Sequence, residues 1–166
     1  MPEKTYSDPP GMPEDERMTP AEFKVVREFL GLTGDWIAGH LGVSPRTVRH
    51  WEEGKYKIPD GVRLAIEKLE ATTGEYVGAV VEQLMDLPDP AVITYRTDAE
   101  YKAADPDSPF PASWHRAVIA RVAQEVPALS IGFAADATEQ GFVSGATAEA
   151  ERGLPDVVEA FQRGQR

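Results

Sequence analysis

Arg46, Thr47, Arg49 and His50 crowd into the stretch LGVSPRTVRHWEEGK, residues 41–55, with Lys55 inside it and Lys57 just behind. Guanidinium forks match the paired acceptors of a guanine edge or a phosphate, hydroxyl and imidazole groups reach bases or backbone, and ammonium groups neutralise phosphate. Together these types offer recognition of a polyanion rather than bond-making. The rest of the chain makes the cluster conspicuous, because the net charge is −11 and the isoelectric point is about 4.7. Residues 18–60 hold six Lys/Arg against six Asp/Glu, so the whole negative excess lies elsewhere. Within 43–57 the count is four basic against two acidic, and His50 adds to it at lower pH. The acidic total argues against nonspecific coating of nucleic acid or anionic membrane.

A helix starting after Ser44 sorts these residues by face. At about 100° per residue, with Ser44 at zero, Val48 and Trp51 fall near 40° and 340°, while Arg49, Glu53, Arg46 and His50 span about 140° to 240°. One side is apolar and the opposite side presents donors, as major-groove reading requires.

Positioning such a helix takes neighbours, and the sequence supplies their signals. Thr19-Pro20-Ala21-Glu22 predicts a capped helix start, with Phe23, Val26 and Leu30 on one face and Gly31 as its end. Thr33 caps a second helix carrying Trp36, Ile37, Ala38 and Leu41 up to Gly42. Ser44 caps the third, with Pro45 first in it and Gly54 as its stop; Val43 plugs the corner between the two helices. Pro59-Asp60 opens a fourth segment striped by Val62, Ala65, Ile66 and Leu69. Thr72-Thr73-Gly74 either breaks or bends it before the pattern resumes to Asp86, and Pro88 and Pro90 end it.

From Ala91 the pattern changes: AVITY predicts a strand, TDAEYKAAD a short helix capped by Thr97 or Asp98, and DPDSPFP a loop. Ala112–Glu125 predicts an amphipathic helix, LSIGF at 129–133 a returning strand, and Asp156–Gln162 a terminal helix. The parts expected are a disordered proline-rich acidic arm at 1–17, a DNA-binding domain at 18–70, a connecting helix and linker at 71–90, a small α/β module at 91–134, and an acidic, loosely ordered tail at 135–166.

On LTGDWIAGHLGVSPRTVRHWEEGK, with its turn glycine, Val-Ser entry, Thr-Val pair and Trp-Glu-x-Gly exit, the chain resembles Cro/C1-type (Xre) helix-turn-helix regulators. The resemblance covers about Met18 to Leu69, nearly a third of the chain. Within that superfamily, REFLGLTGDWIAGHLG…RTVRHWEEGKYKIPDGV is similar to the anti-CRISPR-associated (Aca-like) and YdiL-like autorepressors. ITYRTDAEYKAADPDSPFPASWHRAVIARV resembles their C-terminal dimerisation module. The resemblance implies a mainly α fold, a five-helix domain followed by a small α/β dimerisation module, and a homodimer on a double-stranded DNA operator. Arg46, Thr47, Arg49 and His50 would face the groove, and Ser44, Lys55 and Lys57 would touch phosphates. Relatives often carry Gln as the first residue of the second helix, bracing the recognition helix; Gly34 stands there, leaving Thr33 or Trp36 to substitute. The tail beyond residue 135 has no counterpart.

Other chemistries find little support. Without cysteine there is no disulfide or thiolate site, which fits a reducing cytoplasm, and a metal would rest on His40, His50 or His115 with carboxylates. No run of apolar residues could span a bilayer, and MPEKTYSDPPG lacks a signal-peptide core. Ser108, His115, Asp105 and Asp107 lack any nucleophile motif, and dinucleotide and P-loop patterns are absent, so neither a catalytic set nor a cofactor is expected. Three alternatives remain: a winged excisionase-like or MerR-like domain, with strands after the motif; an antitoxin or adaptor whose C-terminal module binds a partner protein; and RNA binding by the same helix.

Overall fold

The computed structural model describes residues 2–137. The predicted terminal helix at Asp156–Gln162 and most of the acidic tail lie outside the described residues. The elements run α1 (Pro20–Phe29), α2 (Gly34–Leu41), α3 (Pro45–Glu52), α4 (Asp60–Met85), β1 (Ala91–Thr94), α5 (Asp98–Ala104), α6 (Ala112–Glu125) and β2 (Ser130–Phe133). Short 3-10 turns occur at Glu14–Glu16 and Ala134–Asp136. The fold is mainly helical with one small sheet. The described residues divide after Glu70 into two compact units.

In the first unit, local hydrogen bonds set where each helix begins. Thr19 and Glu22 close a reciprocal capping box, the Glu22 amide donating to Thr19 Oγ1 at 3.1 Å and the Thr19 amide to Glu22 Oε2 at 2.8 Å. Thr33 caps α2, accepting from the Trp36 amide at 3.1 Å. The α2–α3 turn is set by Gly42 at φ 69°, a left-handed conformation in which a side chain is strained. Phe23, Ile37, Ala38 and Val62 are fully buried among these helices. Arg27 ties three pieces together: its Nε donates to Glu52 Oε1 at 2.7 Å, and its Nη1 to the Leu32 carbonyl at 2.8 Å. That links α1, the turn after it and α3.

One expectation changes here, and one left open is decided. Four α-helices, not five, begin between residues 18 and 70, and the fourth continues to Met85 without interruption. Thr72-Thr73-Gly74, where the sequence allows either a break or a bend, stays inside that helix. Thr72 and Thr73 are buried, and Thr73 Oγ1 accepts the indole N–H of Trp114 at 3.1 Å. A tertiary bond thus holds a weakly helical stretch in the helix.

In the second unit β1 and β2 pair in parallel, with Ala91 opposite Ser130 and Thr94 opposite Phe133. A parallel pair needs a long crossover, and α5, its following loop and α6 provide it. Thr97 caps α5, its side chain accepting from the Glu100 amide at 3.2 Å. Asp98 serves the next helix instead: its carboxylate accepts the Ala112 amide at 2.8 Å, at the start of α6, where Pro111 offers no capping side chain. Trp114 is fully buried, stacked on Phe110 at 4.0 Å and tilted against Tyr76 at 5.4 Å.

His115 is buried against Tyr95 and Tyr101, its Nδ1 2.9 Å from Thr94 Oγ1. Burial, with a smaller contribution from the Arg116 charge, pushes its pKa down to about 4. An unfolded histidine takes its proton near its ordinary value of about 6.5, so the depressed group costs stability as pH falls from there to about 4. Urea unfolding should therefore lose about 3 kcal/mol between pH 7 and pH 4 through this residue alone. The loss should be smaller by that amount in His115→Gln; an unchanged pH profile in the variant would contradict the assignment.

Candidate nucleic-acid interface

Ser44 starts α3, its side chain accepting the Thr47 amide at 3.2 Å, and Pro45 fills the first helical position. Val48 and Trp51 point inward, 1% and 4% exposed, and Trp51 meets the Phe23 ring edge-on at 5.9 Å between centroids. Gly34 sits opposite: a Cβ there would lie 3.8 Å from Val48 Cγ1, so α2 approaches α3 in ordinary contact. Burying this seam leaves the other face of α3 to solvent.

Arg46 and Arg49 both lie on that face, exposed. Among the described residues neither guanidinium makes an ion pair or a side-chain hydrogen bond. His50 is half-buried, its ring edge-on to Tyr56 at 4.8 Å. Lys55 is exposed and pairs with Glu53 at 2.7 Å; hydrogen bonding to that ammonium holds the Glu53 carboxyl below its usual range. Thr33 is exposed but its hydroxyl is engaged as the α2 cap, and Trp36 stacks on His40 at 5.1 Å.

The remaining candidates meet the N-terminal arm. Glu3 Oε1 accepts the Ser44 amide at 2.7 Å and lies 3.3 Å from Thr47 Oγ1, which is itself 3.0 Å from Ser44 Oγ. Hydrogen bonds from the Ser44 side chain and amide hold the Glu3 carboxyl below its ordinary value. Lys57 pairs with Glu14. The Lys4 amide donates to the Gly42 carbonyl at 2.8 Å, Tyr6 Oη to the Leu41 carbonyl at 2.5 Å, and the Asp60 amide to Asp8 Oδ1 at 2.7 Å. Arg17 reaches Asp8 at 2.6 Å. The segment expected to be structureless thus lies along the helices, held at their ends. Sequence reading did not single out Glu3, Tyr6 or Glu14; an acidic run beside a locally basic stretch left open only that the arm lies over the basic helix.

After the motif the chain is helical through α4, and the strands of the described residues lie beyond residue 90, where a winged domain would have them directly after α3. Ser108 Oγ donates to Tyr101 Oη at 3.0 Å and His115 pairs with Thr94, so these two groups face different partners.

A capped helix, a left-handed turn at glycine, and a second short helix with a buried inner and cationic outer face make a helix-turn-helix pair. Residues 18–128 match the family model described as Aca2/YdiL-like, and the chain belongs to that family. It is similar to the Aca2 repressor of Pectobacterium phage ZF40, 32% identical over 113 residues that cover 68% of this chain and 91% of the phage protein.

The seam and the cap should differ in cost. Trp51→Ala should lower unfolding free energy by about 3–5 kcal/mol, whereas Ser44→Ala should cost about 1 kcal/mol. Urea denaturation of the two variants checks this; similar small losses would mean that Trp51 does not anchor α3.

Proposed function

We propose that this protein is a sequence-specific, double-stranded-DNA-binding transcriptional repressor of the Xre type, acting as a homodimer on an inverted repeat and most simply on its own promoter. The observation that carries the reading is α3: among the described residues Arg46 and Arg49 stand exposed without an ion pair or a side-chain hydrogen bond, on a helix whose other side is buried. In the major groove Arg46, Thr47, Arg49 and His50 address base edges, and Ser44, Lys55 and Lys57 address phosphates, with Thr33 at the flanking backbone. Membership of the Aca2/YdiL-like family and likeness to a protein named a repressor support the same reading.

In this reading residues 18–70 are the DNA-binding domain, 71–90 the connection, and 91–134 the dimerisation module. Two-fold symmetry in the protein requires two-fold symmetry in the operator, with half-site centres about 34 Å apart when both helices enter one face of the duplex. No helix among the described residues is long and apolar enough to cross a membrane, which suits a protein that works on DNA.

Footprinting should reveal one palindromic site near the protein's own promoter; protection of a lone asymmetric half-site counts against the dimer. Arg49→Ala should cost about 1–3 kcal/mol and relax preference at one base position, whereas Lys57→Ala should weaken binding to all sequences alike. Equal losses from both on every sequence would refute the division between base and phosphate contacts.

A further inference from the structure

The N-terminal arm occupies the ends of α3 and of its neighbours with groups of matched polarity. Donors from Lys4 and Tyr6 meet the carbonyls at the C-terminus of α2, and carboxylates from Glu3 and Asp8 meet the amides at the N-termini of α3 and α4. Glu14 adds an ion pair to Lys57, past the C-terminus of α3. The two acidic contacts therefore bracket α3, whereas its outward face, with Arg46 and Arg49, stays exposed. A carboxylate on the Ser44 amide and the Thr47 hydroxyl makes the bonds that a phosphate oxygen would make there. The family match begins at residue 18, so this device lies outside the part shared with the family model.

We propose that residues 3–14 are an autoinhibitory strap whose Glu3 and Glu14 carboxylates stand in for two DNA backbone phosphates and must leave before the helix can dock. The proposal rests on the DNA-binding reading above. Because phosphate sites carry no sequence information, the strap taxes every duplex equally. It lowers the affinity for nonspecific DNA while an operator with good base contacts still displaces it. The competition is electrostatic, so salt weakens both the strap and the DNA contacts.

The test compares the full-length chain, the Glu3→Gln/Glu14→Gln double variant and an Asp15→Asn/Glu16→Gln control, which removes the same charge from arm positions whose side chains have no partner among the described residues. Fluorescence anisotropy with a random-sequence duplex and with the chain's own promoter region gives affinity. Amide hydrogen exchange at Ser44 reports on the strap without DNA. The double variant should bind both duplexes on the order of tenfold more tightly at low salt, the control should change little, and the Ser44 amide should exchange faster in the double variant than in the unaltered chain. Equal affinity of the unaltered chain and the double variant, an equal gain in the control, or Ser44 exchange indifferent to Glu3 would each overturn the strap. A chain in which no form binds either duplex, although Ser44 remains protected by Glu3, would instead defeat the DNA-binding reading, and the strap's role with it.

Discussion

Everything proposed for this molecule hangs on how one two-turn helix is held. Trp51 and Val48 fix the inner side of α3 against Phe23 and the α2 helix, and the Arg27–Glu52 bond, itself tied to the Leu32 carbonyl, prevents rotation about the helix axis. Burial of a tryptophan and a valine supplies the energy, while the directional guanidinium–carboxylate bond supplies orientation. The outer face is what this packing leaves over. A binding face on a short helix is useful only when the opposite face is immobile, because guanidinium forks must meet paired acceptors at fixed angles.

Helix ends are the second recurring theme. In the first unit the starts of α1, α2 and α3 are met by Thr19, Thr33 and Ser44, and the start of α4 by Asp8 from the arm. The second unit solves the same problem at a distance, with Asp98 serving α6. Backbone amides at a helix start favour any anion, and the molecule does not distinguish a carboxylate of its own from one oxygen of a phosphate except by geometry and effective concentration. In the proposed reading, an acidic chain that binds DNA through a small basic patch has a use for that ambiguity. Its own carboxylates can occupy the flanking phosphate positions at Ser44 and Lys57 without any conformational change in the core.

How much of this was legible beforehand depended on sequence separation. The caps at Thr19, Thr33 and Ser44 are bonds between residues three apart, and the composition of those few residues suffices to place them. The wheel likewise puts Val48 and Trp51 on the side that the structure buries and Arg46 and Arg49 on the side that it exposes. The strands and helices between residues 91 and 133 also fall where their patterns put them. What failed to show was long-range. Thr73, in the stretch that the sequence allows either to break or to bend, is bonded within the helix to Trp114, 41 residues on. The arm has little to bury and reads as structureless, yet its anchors reach 35 to 52 residues along the chain. Polar bonds to helix ends leave no periodicity in the sequence. Asp98 and Thr97 were competing candidates for one cap, and each turned out to serve a different helix.

The central claim is that the solvent-facing side of α3 enters duplex DNA. The most direct measurement is a residue-by-residue nitrogen–proton NMR titration of the full chain with its promoter duplex. The account predicts that the largest changes fall on the backbone amides of Arg46, Thr47, Arg49 and His50 and on the two guanidinium groups. A complex that forms while those resonances stay in place, with changes confined to residues 91–137, would contradict it.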